Sequence, residues 1–185
     1  MSLSPQEAAS TLSDVERAAR RSGQAYGYRK ASPHLIVWGL IWVVGYATTD
    51  LRMEYANIVW PVLTVLGVAL STYVGRCESI QGGGRYRSSW RVLGLVALAI
   101  IFIGATYSIM GHVSGPQQGA FIPLLVGTVY AGMGLWLGPR FLVTGLAVIV
   151  LTLGGYFYLQ EHFLLWQAVV GGGALILAGL WLRTV

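Results

Sequence analysis

One cysteine, Cys77, stands among 185 residues, which excludes an intramolecular disulfide and any dithiol relay within the chain. Charge is scarce as well. Asp, Glu, Lys and Arg make up 10% of the residues against 55% that are hydrophobic, a balance outside the soluble range. Where charge is missing matters more. Six apolar runs, Leu35–Thr49, Ile58–Val74, Val92–Met110, Ala120–Leu137, Phe141–Leu159 and Phe163–Leu182, hold no Asp, Glu, Lys, Arg or His in their interiors. Ionisable groups inside a membrane mark proton relays, ion pathways and coupled transport sites, so their absence argues against a pump, a proton-coupled transporter or a voltage sensor.

The three histidines, His34, His112 and His162, fall near run ends, which leaves no axial ligands for a haem within a bundle. His112, His162 and Glu161 have no metal-ligand spacing. Enzyme motifs are missing too. Val113-Ser114-Gly115-Pro116 reads as a turn rather than a serine nucleophile, and Gly82-Gly83-Gly84 lacks the Gly-Lys-Ser/Thr of a phosphate loop. Asp50 and Glu54 flank Arg52 and are expected to pair with it or face solvent. Catalysis, a cofactor and a metal are therefore not expected.

The apolar runs themselves set the fold class. A hydrocarbon core about 30 Å thick needs roughly 20 apolar residues per helix, with about 17 as the lower limit. The last five runs meet it. The first does so when extended from Pro33 to Leu51, with Ser32 as N-cap and Pro33 at the first helical position. The expectation is an all-α integral membrane protein with six transmembrane helices in three hairpins, spanning about 33–51, 58–74, 92–110, 120–137, 141–159 and 163–182. Threaded this way, 11 of the 12 basic residues fall on one face and only Arg52 on the other. Cytoplasmic loops carry the Lys/Arg excess, so both termini are expected in the cytoplasm. The net charge of +5 follows from that bias and does not imply nucleic-acid binding. Residues 1–32 are polar and show no signal-peptide pattern, and Arg outnumbers Lys 11 to 1, which suggests a GC-rich bacterial source and an inner-membrane location.

The polar segment 1–32 is expected to form a cytoplasmic unit. Ser4-Pro5-Gln6-Glu7 has the pattern of a capping box, and the spacing predicts a short amphipathic helix over Pro5–Ser22 that stops at Gly23. Ala8, Leu12, Val15 and Ala19 share its narrow apolar face, while Asp14, Arg17, Arg20 and Arg21 lie away from it. Such a helix either rests on the bundle and headgroups or docks a cytoplasmic protein. In the long loop Arg76–Arg91, the stretch Arg85-Tyr86-Arg87-Ser88-Ser89-Trp90-Arg91 alternates basic and aromatic residues beside a helix end. Arg17, Arg20, Arg21, Arg85, Arg87 and Arg91 are thus the candidates for contact with anionic lipid headgroups or a partner. Cys77 could be palmitoylated, but a lone juxtamembrane cysteine more often stays free.

A repeat runs through the apolar part. Gly134-Leu135-Trp136-Leu137 recurs as Gly179-Leu180-Trp181-Leu182, and Gly39-Leu40, Gly94-Leu95 and Gly145-Leu146 open the odd helices. With its three Gly-marked hairpins, the segment Pro33–Arg183 resembles the HdeD-like family of small six-helix bacterial membrane proteins. That likeness implies a stress-associated inner-membrane protein without known catalysis; the 32-residue polar start and long basic loop depart from it.

Helices in lipid associate through close backbone approach, and the even helices carry small residues for it: Gly67, Ser71 and Gly75; Gly127, Ala131, Gly134 and Gly138; and Ala174 and Ala178 after Gly171-Gly172-Gly173. Buried, these faces make a tight bundle; any that points outward is a homo-oligomer face. At the outer end Tyr46, Asp50, Tyr107, His112, Tyr156 and His162 fall at similar depth. They form either an aromatic belt or a small ligand site. The functional expectation is a non-enzymatic accessory or regulatory membrane protein that engages a cytoplasmic partner or anionic lipid. The alternative is a small-solute transport protein, or the substrate-binding membrane subunit of an importer.

Overall fold

A computed structural model describes residues 5–81, 89–111 and 113–184, with side chains for 11–77, 94, 97–111 and 113–184. Among the described residues the chain is helical throughout, with no strand. The helices are α1 (Pro5–Leu51), α2 (Ala56–Gln81), α3 (Ser89–Met110), α4 (Gly115–Leu137), α5 (Pro139–Tyr158), α6 (Phe163–Trp166) and α7 (Gly172–Leu182). A π-helical turn, Gln167–Gly171, joins α6 to α7 in one rod, and 3-10 turns at Met53–Tyr55 and Gln160–His162 close the connections before α2 and α6. Among the residues whose side chains are described, five helical stretches are long and apolar enough to cross a membrane: in α1, in α2, in α4, in α5 and in the α6–α7 rod. In α3 the described apolar stretch is Ala97–Met110.

Local chemistry explains the ends. After α3, Gly111 takes φ 71°, and between α4 and α5 Gly138 takes φ 131°, backbone conformations that a side chain would oppose. Ser114 and Gln117 build a reciprocal capping box at the start of α4, with Pro116 in its first turn. Val113–Pro116 is therefore a helix start. It lengthens the fourth helix by five residues over the expected 120–137.

The first helix corrects the sequence reading. No break occurs at Gly23 and no new helix begins at Pro33; α1 runs unbroken for 47 residues with Pro33 inside it. Gly23 has no positive φ, so nothing in its backbone ends the helix. Pro33 removes one bond to the preceding turn and would normally kink or stop a helix. Tertiary contacts on both sides of it prevent that. Tyr28 is buried against Phe141 of α5, while Ser32 and Leu35 are fully buried, with Ser32 bonded to Gly179. The axis is held before and after the proline, and packing outweighs the local signal.

Two glycine-mediated pairs dominate the packing. Gly39 of α1 and Gly172 of α7 face each other; a Cβ on either would lie 2.8–2.9 Å from the other's carbonyl oxygen. One heptad along, a Cβ on Gly179 would sit 2.7 Å from Ile36. The same device joins α4 to α5, where Gly127 and Gly145 oppose each other and Gly134, seven residues on, lies against the Leu142 backbone. The sequence repeat at Gly134 and Gly179 thus corresponds to equivalent contacts. These pairs join α4 to α5 and the first helix to the last. Their third counterpart is not glycine-packed, since Gly94 of α3 faces open space. Gly67 seats α2 on Ile41 and Trp38 of α1, and α3 meets α4 where Phe102 and Tyr107 pack on Phe121.

Candidate functional site

Toward the C-terminal end of α1, the end expected to face outward, Trp42, Tyr46 and Thr49 share one face because they lie about one helical turn apart. Tyr46 is buried between Trp42 and Trp60, with ring centroids 6.0 and 4.9 Å away, and its hydroxyl donates to the Gly119 carbonyl at 2.8 Å. Trp60 donates from Nε1 to Thr49 Oγ1 at 3.1 Å. Tyr107 reaches the neighbouring carbonyl of Gln118 at 3.4 Å. Two of the three tyrosines therefore converge on the first turns of α4. The third does not join them. Tyr156 packs edge-on against Phe157 and Phe163, and Phe163 stands between it and Gly119.

The remaining members of that set do not form a mouth. Asp50 and His162 are exposed, and His112 lies outside the described residues. Arg52 pairs with Glu54 at 3.5 Å on the surface, as one of the two sequence readings had it. The hydroxyls of Tyr46 and Tyr107 are satisfied by backbone carbonyls.

Gln167 is neutral, so the absence of ionisable groups from the apolar runs does not point to it. It is the one side-chain amide in the six apolar runs, and a polar group in a membrane helix is a site signal even when neutral. It is fully buried in the π turn, donates to the equally buried Thr152 Oγ1 at 3.4 Å, and leaves its Oε1 without a partner. Gly171, one turn on, gives the amide its room: a Cβ there would strike the Gln167 side chain. An orphaned buried acceptor costs roughly 1–3 kcal/mol. Gln167→Met is therefore expected to leave the melting temperature in detergent unchanged or higher. A clear fall would mean that the oxygen is bonded to something in the functioning protein.

At the opposite end of the bundle, Arg140 and Arg183 form a clamp. Arg140 donates from Nη1 to the Trp181 carbonyl at 2.6 Å and to Thr184 Oγ1 at 3.1 Å, with its guanidinium 5.0 Å from the Trp181 ring and 5.7 Å from that of Tyr28. Arg183 donates from Nε to Ser32 Oγ at 2.8 Å, and Ser32 donates on to the Gly179 carbonyl at 2.6 Å. Both cations sit at the C-terminal end of α7, where the helix dipole favours positive charge. They tie α5 and α7 to α1 at the level of Tyr28 and Ser32.

Before the clamp the described part of α1 is largely exposed. Arg17 pairs with Asp14 at 3.3 Å and Arg20 and Arg21 are exposed, as are Leu12 at 62%, Val15 at 60% and Tyr26 at 69%. Arg85, Arg87 and the side chain of Arg91 lie outside the described residues. Among the described residues, no group of three or more His, Cys, Asp or Glu side chains could hold a metal ion. In comparisons with known proteins, the chain matches no family model, no curated protein and no solved structure.

Proposed function

We propose that this chain is a non-enzymatic accessory or regulatory membrane protein that displays the N-terminal part of α1 as a rigid arm to a cytoplasmic protein. In this reading its six helices span a bacterial inner membrane and both termini face the cytoplasm. The observation that carries it is the unbroken α1. At 1.5 Å per residue the helix is roughly 70 Å long, and the stretch before Tyr28 makes up roughly 35 Å of it. That stretch leaves Leu12 and Val15 uncovered, yet the clamp at Tyr28 and Ser32 fixes its base. An apolar stripe on a firmly rooted helix suits a protein groove better than a lipid surface, which would take up a freely hinged segment more readily. Arg17, Arg20 and Arg21 add a basic flank that suits an acidic partner, with Arg85, Arg87 and Arg91 kept as headgroup contacts. The Gly spacing shared with the HdeD-like family fits a bundle without catalysis.

Deletion of residues 2–22 tests this. The truncated chain is expected to keep the melting temperature of the full chain within about 2 °C, because residues 11–22 bury little, while losing a protein that co-purifies with the full chain in mild detergent. An unchanged set of co-purifying proteins would sink the arm as a docking element. The orphaned Gln167 oxygen supports a second reading, a solute-binding membrane subunit, in which that amide holds a polar ligand. A marked loss of stability in Gln167→Met would favour it.

A further inference from the structure

Between α5 and α7 a groove of about 320 Å³ opens sideways, lined by Val143, Thr144, Ala147, Ala174, Leu177 and Trp181. Its wall is apolar in practice, since the Thr144 hydroxyl is turned to the Arg140 carbonyl at 2.8 Å. Val143, Leu177 and Trp181 are exposed, so the groove lies on the lipid-facing side of the bundle. It ends at the clamp: Trp181, which lines it, carries the Arg140 guanidinium 5.0 Å above its ring. Arg183 faces the other way, onto Ser32 of α1, so Arg140 is the cation at the groove.

No carboxylate among the described residues pairs with Arg140; the two ion pairs there are Arg17 with Asp14 and Arg52 with Glu54, both elsewhere. The carboxyl end of α7 offsets about half a charge and is shared with Arg183, so Arg140 keeps net positive charge at the rim. Arg140 uses Nη1 for its two bonds to α7, and the rest of its donor fork is available. An apolar cleft in the lipid-facing wall that ends in a guanidinium at the membrane surface is complementary to an anionic amphiphile.

We infer that this groove binds one anionic phospholipid, with an acyl chain between α5 and α7 and its phosphate on Arg140. The site is separate from the arm, so the failure of either proposal leaves the other standing. A bound lipid would join the ends of α5 and α7 from outside, where Ser32 joins α7 to α1 from within.

The test is native mass spectrometry of the full chain released from mixed phosphatidylglycerol and phosphatidylcholine micelles. The wild type is expected to retain one phosphatidylglycerol, favoured over phosphatidylcholine by roughly fivefold through the Arg140 guanidinium. Arg140→Gln, which keeps a donor for α7, should lose that preference. Ala174→Phe, which fills the groove, should abolish retention of either lipid, and Ala147→Phe serves if that variant does not fold. Equal retention of the two lipids would overturn the inference. So would undiminished phosphatidylglycerol binding to the filled groove, or a dimer that appears in wild type and is lost on filling, since a second copy would then be the occupant.

Discussion

Gly145→Leu is expected to prevent formation of the folded bundle. The position is buried where α5 crosses α4, and even a bare Cβ there would run into the backbone of Gly127 and Ala131. Backbone cannot step aside as a side chain does, so the two helices must separate. Separation unseats Gly127 from Gly145 and Gly134 from Leu142 together. Overpacking a core commonly costs about 1–3 kcal/mol, and this site, which obstructs a whole helix crossing, should lie beyond that range. Association in lipid has little hydrophobic drive to compensate. Size-exclusion chromatography of a fluorescent fusion should show aggregate in place of the symmetric peak. Gly154→Leu, on the same helix but with open space at its Cβ, should behave as wild type. A normal peak for Gly145→Leu would mean that α4 and α5 do not meet as described.

The second large effect is expected at Ser32. Its hydroxyl bonds the Gly179 carbonyl and receives Arg183, and it is fully buried on the α1 face that meets Gly179. Ser32→Val removes both bonds and adds a branch where the helices are closest. Hydrogen bonds between membrane helices are worth about 0.6 kcal/mol on average and up to about 1.7, so the polar loss alone is modest. The added bulk and the released Arg183 should bring the total to about 2–3 kcal/mol, seen as a lower melting temperature. Ser32→Ala isolates the polar part and should cost about 1 kcal/mol. If the valine variant were no worse than the alanine, the close contact of α1 with α7 would be in doubt.

These two sites show what the sequence could and could not reveal. Several helix ends were legible because they rest on local chemistry: the expected spans end at Leu51, Met110, Leu137 and Leu182, where the helices also stop, whereas α2 runs on past Val74 to Gln81. The glycines were legible as packing positions, but not their partners. Nothing in the chain order says that Gly172 should seek Gly39 across more than a hundred residues. Gly23 and Pro33 were misleading because their signals are local, and the contacts of Tyr28 and Ser32 that override them are not. Arg140 and Arg183 looked alike and isolated along the chain, yet both fasten the same helix end. Tyr46 and Tyr107 do approach each other, on the adjacent carbonyls of Gly119 and Gln118. Tyr156 shared their depth but not their face, because Phe163 takes up the intervening space. Gln167 carries no charge, and its burial with an unpaired oxygen depends on the π turn, which no residue pattern announced.

The continuity of α1 through Gly23 and Pro33 is the claim on which the arm depends, and a distance along that helix tests it most directly. Nitroxide labels at Ala18→Cys and Asp50→Cys, in a Cys77→Ser background reconstituted in nanodiscs, would be read by double electron–electron resonance. An unbroken helix places the two positions roughly 48 Å apart, at 1.5 Å for each of the 32 intervening steps, with a narrow distribution. A broad distribution, or one centred at a clearly shorter distance, would show a hinge at Gly23 or Pro33 and contradict the rigid arm.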